Sequence, residues 1–364
     1  MLRIDLVNNE FDSKYMDGIG RYSKIYAESL AMLGVTVNKI QVDKLLGKES
    51  INWAFRYLKY FLKSSIVCRY VLKSDSSLIH LLKPEISWAV DCDINKPIIS
   101  TWHDMFYTVG HKYDPKGIKT NINVIINTQI GSYLKKKAYE YSEIIIANST
   151  QTLSDLSEYF KQIGIYDRSK KHYVVNLGIS DTYINQTLWY GDRKDFIYIG
   201  KAQYVIPLLV KIFNEISIKF PNQMLHIFTS TFNAKKTLDQ EIKKFKNDTL
   251  KRNIILHFRA PDEEIIKYTK KAVALLHLYP SEGFGYTILE AASLGTPVIT
   301  LEDARIPEET ARVSYKISLD KVSSLAMDLI GTSSTLPIDV VKYARSFSKE
   351  KHAKRMIKIY EELL

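Results

Sequence analysis

The chain is poor in cysteine, with only Cys68 and Cys92 among 364 residues. Neither has a Cys or His partner at metal-ligand spacing. That excludes a zinc ribbon, a C-x-x-C redox pair and a disulfide scaffold, and it fits a reducing interior. Long hydrophobic runs are missing too, and none reaches the roughly 18 apolar residues that suggest a membrane-spanning helix. The opening residues, Met1 to Phe11, lack the apolar stretch of a signal peptide and run into Asp and Asn. The expected location is therefore cytoplasmic. With 15 Gly and 10 Pro the chain is neither collagen-like nor low-complexity.

What is present is an ordinary globular composition, 46% apolar and 25% charged. At roughly 150 residues per domain the length suggests about two domains. The formal charge is +11, from 51 Lys+Arg against 40 Asp+Glu. Such an excess favours nucleotide phosphates, anionic lipid or nucleic acid, or else only solubilises the surface. No nucleic-acid motif accompanies it, so no nucleic-acid partner is expected.

Short apolar runs alternate with longer amphipathic stretches, the pattern of parallel α/β folds. Strands are expected at Leu2–Val7, Val35–Val42, Leu78–Leu82, Pro97–Thr101, Glu143–Ala147 and Tyr173–Val175. A helix is expected at Arg21–Leu33, stopped by Gly34. The pattern weakens over Thr182–Arg193 and then restarts. Strands follow at Phe196–Ile199, Met224–Thr229, Asn253–His257, Val273–Leu278 and Pro297–Thr300. Helices follow at Pro207–Lys219, Thr237–Lys246, Asp262–Lys271 and Thr287–Leu294. The end, Val340–Leu364, reads as helix with a turn near Phe347–Ser348. Two doubly wound domains are expected, 1–188 with 343–364 and 189–342. Ligands of such domains bind at the carboxyl ends of the strands, which places the site in the cleft between them.

The strongest motif is Ser281 to Glu290, S-E-G-F-G-Y-T-I-L-E, continued by A-A-S-L-G-T-P-V-I-T. Gly283 and Gly285 let the backbone approach a ligand closely. A helix start offers N–H groups and the positive end of a dipole, which suit a diphosphate. Thr287 adds a hydroxyl. Glu290 suits a ribose hydroxyl, and Glu282, in the loop, suits a sugar.

This segment resembles the hallmark of glycosyltransferase family 4, retaining enzymes of the GT-B fold. D-G-I-G-R-Y-S (Asp17–Ser23), T-W-H-D-M-F (Thr101–Phe106), I-I-I-A-N-S-T (Ile144–Thr150) and F-I-Y-I-G-K (Phe196–Lys201) resemble further family segments. The ending resembles the family's terminal helix, which crosses back to the N-terminal domain. The resemblance implies two Rossmann-like domains, an acceptor domain and a donor domain. It implies transfer of a hexose, of glucose or mannose type, from a UDP- or GDP-sugar. The acceptor would be a hydroxyl of a glycan, a lipid or a protein-linked group, and no metal or cofactor would be needed. By motif position, His103 and Glu282 would be catalytic. Gly18, Gly20, Asp104, Lys201, Gly283, Phe284, Gly285, Tyr286, Thr287 and Glu290 would bind donor.

The chain departs from the family pattern at several places. Lys201 fills the first basic position of the donor domain, but Tyr204-Val205-Ile206-Pro207 leaves the second unfilled. Pro280-Ser281 abuts Glu282 without the usual insertion. Phe258 stands where a glycine is usual, and no glycine-rich segment follows Pro307-Glu308. The missing basic residue leaves a second reading open, a nucleotide-sugar-binding protein with other or lost activity.

Other motifs are weaker. Gly18-Ile19-Gly20-Arg21-Tyr22-Ser23 nearly matches a dinucleotide fingerprint, but too long a stretch separates it from the strand ending at Val7. Asp91-Cys92-Asp93 reads as a solvated turn rather than a metal-binding D-x-D. Asn148-Ser149-Thr150 matches a glycosylation sequon, which needs a secretory context. His277, within an apolar strand, reads as a core or cleft residue without chemistry. The segments 52–73 and 118–137 mix Lys and Arg with aromatics. They are candidates for contact with an anionic membrane, or for amphipathic helices packed on a sheet.

Overall fold

The computed structural model describes residues 2–11, 18–46, 64–105, 122–202, 205–332 and 335–364, with side chains from 129 on in the helix that begins at Ile122. The chain forms two compact units, Met1–Gly178 with Lys349–Leu364, and Ile179–Ser348.

The first unit holds a parallel sheet of β1 (Arg3–Asn8), β2 (Thr36–Gln41), β3 (Leu78–Leu81), β4 (Ile98–Trp102), β5 (Ile144–Ala147) and β6 (Lys171–Val174), in the order β2-β1-β3-β4-β5-β6. β3, β4 and β5 are buried along their whole length, as strands covered on both faces must be. That is why they read as unbroken apolar runs. The helix Gly18–Met32 follows β1, and Gly34 ends it with a φ of +83°, a left-handed value that glycine adopts without steric cost. One core cluster gathers Val7, Ile79, Leu81, Trp88, Val67 and Leu134, and another gathers Trp102, Tyr139, Ile145 and Phe160.

The helix Lys349–Glu361 belongs to this unit, although 170 residues of the other unit precede it in the chain. Its buried face, with His352, Met356, Ile359 and Tyr360, packs against the helix Gly18–Met32. The expected return of the terminal helix to the N-terminal domain is met.

The second unit repeats the architecture with β7 (Phe196–Ile199), β8 (Leu225–Thr229), β9 (Ile254–Phe258), β10 (Ala274–His277), β11 (Val298–Leu301) and β12 (Tyr315–Ile317), ordered β12-β11-β10-β7-β8-β9 and parallel throughout. The strand order reverses between β7 and β10. In open α/β sheets that switch point opens a crevice at the carboxyl ends. In the first sheet the corresponding point lies between β1 and β3.

The chain changes units between 178 and 179, and returns between 348 and 349, rather than at 188 and 343. The cause is packing. Tyr183 is buried with Ile266 and Leu294. Arg345 donates to the carbonyls of Ser293 (2.9 Å) and Gln186 (2.7 Å). These contacts tie both flanking segments to the second sheet.

Candidate active site

In the first unit the sequence-derived residues cluster at the carboxyl ends of β1, β3 and β4. His103 directly follows β4 and is buried. Its Nε2–H donates to the carbonyl of Leu82 at 2.8 Å, just past β3. A carbonyl only accepts, so this contact fixes Nε2 as a protonated nitrogen. The carbonyl of His103 accepts in turn from Nδ2 of Asn148 at 2.9 Å. Asn148 follows β5, its own N–H bonds Trp102 O, and its carbonyl accepts from Asn176 at 3.1 Å. The His103 ring also meets Tyr22 edge-on, with centroids 5.0 Å apart. The segment is thus held by backbone and amide contacts, while Asp104 is exposed. Asn148, present in the sequence within the Ile144–Thr150 segment and the sequon but given no role there, thus holds the His103 carbonyl.

Gly18 and Gly20 lie in the first turn of the helix Gly18–Met32 rather than in a loop. Gly18 is exposed, with no contact within 4 Å of a Cβ position among the described residues, while Gly20 is buried.

In the second unit the site residues gather at the switch point between β7 and β10. The loop after β10 folds back on itself, pinned by Arg305. Glu282 N donates to Arg305 O at 2.9 Å, and Arg305 N donates to Pro280 O at 2.8 Å. The loop ends at Gly285, whose φ is +92°. A Cβ there would stand 3.0 Å from Thr310 Oγ1 and 3.2 Å from Ile288 Cδ1. Gly285 is also the N-cap of the helix Tyr286–Ser293 and offers it no capping side chain. N–H groups in a helix's first turn have no intrahelical acceptor, so this start suits an anion held by backbone.

Glu282 does not stand alone. His277, the last residue of β10, is 2% exposed. Its Nε2 lies 3.1 Å from Glu282 Oε1, an oblique approach rather than a linear hydrogen bond. Its Nδ1 lies 3.2 Å from Thr287 Oγ1. The sequence reading of His277 as a residue without chemistry missed this arrangement. Thr287, expected to bind donor, thus has its hydroxyl beside His277. Tyr198, on β7, is buried and sits near the same carboxylate. Burial, then the charge of Glu282, pushes its hydroxyl well above the usual phenol range. That hydroxyl donates to Lys201 O at 3.0 Å. Glu282 and the start of the Lys201 segment are thus brought together, and the Lys201 side chain is exposed beyond Gly200.

Glu290 is 3% exposed, on the buried side of its helix. Phe284 is buried against Tyr286 and Phe347. At the second basic position the chain is apolar, with Ala202, Val205 and Ile206 buried and Pro207 in the first turn of the helix Ile206–Lys219. The glycine-replacing Phe258 is half exposed, and Arg259, at a φ of +56°, stacks its guanidinium over Phe232 and Phe258 at 4.7 and 5.1 Å. Asp91 accepts from the Tyr141 hydroxyl. Among the described residues no group of three His, Cys, Asp or Glu side chains is placed to hold a metal ion.

Residues 180–315 match the family model for glycosyl transferases group 1. No curated protein matches the chain at a significant level. Solved structures share its fold from end to end. Sucrose-phosphate synthase from Thermosynechococcus elongatus superposes with a TM-score of 0.76 at 15% identity, covering 100% of this chain and 99% of that one. A glycosyltransferase from Rickettsia africae gives 0.66 at 15%, with 100% and 98% covered. WaaG, a glycosyltransferase involved in lipopolysaccharide biosynthesis, gives 0.65 at 11%, with 96% and 95% covered. The fold is therefore GT-B, that of the group 1 glycosyltransferases, and the family match falls on the unit that carries the Glu282–Glu290 loop and helix.

Proposed function

We propose that the protein is a retaining glycosyltransferase that moves a hexose, of glucose or mannose type, from a nucleoside-diphosphate sugar to a hydroxyl of a glycan, a lipid or a protein-linked acceptor. The observation that carries this reading is the β10 loop: a helix start at Gly285 with no side-chain cap, a carboxylate at Glu282 beside it, and Glu290 within the same helix. Departure of a nucleoside diphosphate builds negative charge on phosphate oxygens. Preorganised N–H groups at Phe284, Gly285 and Tyr286, together with the Lys201 ammonium, would stabilise that charge. Glu282 would hold hydroxyls of the transferred sugar, and Glu290 the ribose. In the first unit, His103 would present its ring to the transferred sugar. None of these roles calls on a metal ion or organic cofactor.

A second reading rests on Tyr204-Val205-Ile206-Pro207, which supplies no second cation. It is a nucleotide-sugar-binding protein with other or lost activity. Incubating the protein with a panel of nucleotide sugars, and following both nucleoside diphosphate release and thermal shift, separates the two. Release from one donor supports the transferase. Stabilisation without release, even with candidate acceptors present, supports the binder.

The proposal extends to a peripheral contact with anionic membrane through the helix Ser64–Lys73, where Ile66, Tyr70 and Leu72 are exposed beside Arg69 and Lys73. Residues 52–63 and 118–121 of the two candidate segments lie outside the described residues. Lys135 to Lys137 give less support. Lys135 is buried 3.5 Å from Glu85, and Lys136 and Lys137 lie within 4 Å of Glu140. No helix among the described residues is long and apolar enough to cross a membrane. Binding to anionic but not neutral vesicles, lost in a Tyr70→Ser/Leu72→Ser variant, is the expected outcome.

A further inference from the structure

We infer that His277 is a positioning residue for Glu282, fixing the direction of its carboxylate through a chain Thr287–His277–Glu282. The inference rests on the reading of Glu282 as the group that contacts the donor sugar.

The geometry is specific. His277 closes β10, in register with Thr300 of β11, so its backbone is locked in the sheet. Its ring is buried, and both ring nitrogens face polar side chains of the same loop and helix: Oε1 of Glu282 at 3.1 Å and Oγ1 of Thr287 at 3.2 Å. A neutral imidazole carries one N–H and one lone pair. A carboxylate only accepts, so a Nε2–Glu282 hydrogen bond requires the proton on Nε2, and a neutral ring then leaves Nδ1 to accept from the Thr287 hydroxyl. The Thr287 hydroxyl can donate to Nδ1 and so accommodates the tautomer that Glu282 needs. The backbone of Glu282 is also fixed, because its N–H donates to Arg305 O at 2.9 Å. The approach of Nε2 to Oε1 is oblique. A small swing of the carboxylate as it takes up sugar hydroxyls would bring it into line. Outer-shell partners of this kind act by holding a reacting or binding group within a fraction of an ångström of its working position.

A strand residue whose only task was packing would not need two polar partners, and Leu or Val would fill the place. The role is therefore testable by how His277 and Glu282 couple. Turnover is measured as nucleoside diphosphate release from the active donor, for wild type, His277→Ala, His277→Gln, Glu282→Ala and the double Ala variant, with melting temperatures alongside. His277→Ala should lower kcat by about 10- to 100-fold with little change in donor KM, the range seen when outer-shell partners are removed. His277→Gln, which keeps an N–H near the Nε2 position, should recover much of the loss. The double variant should be no slower than Glu282→Ala alone, because His277 then has nothing to position. If His277→Ala lowers the melting temperature too far to assay, Thr287→Val supplies the same test from the other end of the chain. Fully additive losses, or wild-type kcat in His277→Ala beside an inactive Glu282→Ala, overturn the inference and leave the proposed function intact. Wild-type turnover in Glu282→Ala overturns the assignment of Glu282 itself, and this inference with it.

Discussion

The hydroxyl of Tyr360, in the last helix, lies 2.6 Å from Nδ1 of His80, in the middle of the first sheet. The other nitrogen of His80 meets Thr101 Oγ1 at 2.7 Å, and the Tyr360 hydroxyl also meets that of Tyr26. A second branch runs from Tyr22 to His352 Nε2 at 3.2 Å, and from His352 Nδ1 to Asn176 O at 2.9 Å. All of these side chains are buried. The returning helix is thus fastened by a polar network as well as by Met356 and Ile359.

Breaking that fastening has a predictable cost. Tyr360→Phe removes one hydroxyl and leaves buried partners on His80 and Tyr26 unsatisfied, which costs about 1–3 kcal/mol. Urea unfolding followed by fluorescence measures it. An unchanged midpoint would mean that the network adds nothing to packing.

The same network makes stability pH-dependent. Burial lowers the His80 pKa to about 3 and that of His352 to about 4. In the unfolded chain both return to about 6.5. Between those values the unfolded state binds more protons than the folded state, so stability falls as pH drops below about 6.5. The loss continues toward pH 4 for His352 and pH 3 for His80. Replacing either ring with Gln should flatten the dependence by up to ~1.4 kcal/mol per pH unit. Unfolding midpoints measured from pH 8 to pH 5 in wild type and in each variant test this, and parallel curves would contradict it.

Gly285 combines a left-handed φ with a Cβ position already approached by Thr310. Gly285→Ala should cost roughly 1–3 kcal/mol in backbone strain. It should weaken donor binding further by moving the helix start. Thermal unfolding and donor titration read the two effects separately.

Asn148 carries the carbonyl of His103. Asn148→Ala should lower turnover by about 10- to 100-fold, as loss of a positioning partner does, with donor KM nearly unchanged. A wild-type rate would show that the 103–104 segment holds its place without the amide.

Much of the fold was legible in the sequence because buried parallel strands read as apolar runs. Phe196–Ile199 and Asp262–Lys271 are where the pattern puts them, and most other boundaries shift by one or two residues. β12 went unseen because Tyr315–Ile317 is a three-residue edge strand, largely exposed, with no apolar run to show. The helix Thr150–Gln162 carries a local signal in the sequence, since Ser149 caps it by accepting from Thr152 N, but its polar-rich face hides the apolar stripe. The Glu282–Glu290 segment was legible because glycines and carboxylates stand close together in a strand–loop–helix context. The partnership of His277 with Glu282 was not, since it depends on the loop folding back over Arg305. Asn148 escaped for the same reason, because its contact joins the ends of β4 and β5.

The most direct test of the account is nucleoside diphosphate release from the donor panel by wild type, Glu282→Ala and His103→Ala, with melting temperatures alongside. Wild type should release nucleoside diphosphate from one nucleotide sugar. Each folded variant should be slower by about 10²–10³-fold, the scale for lost transition-state stabilisation. No release and no thermal shift with any nucleotide sugar, or wild-type rates in both variants, would contradict it.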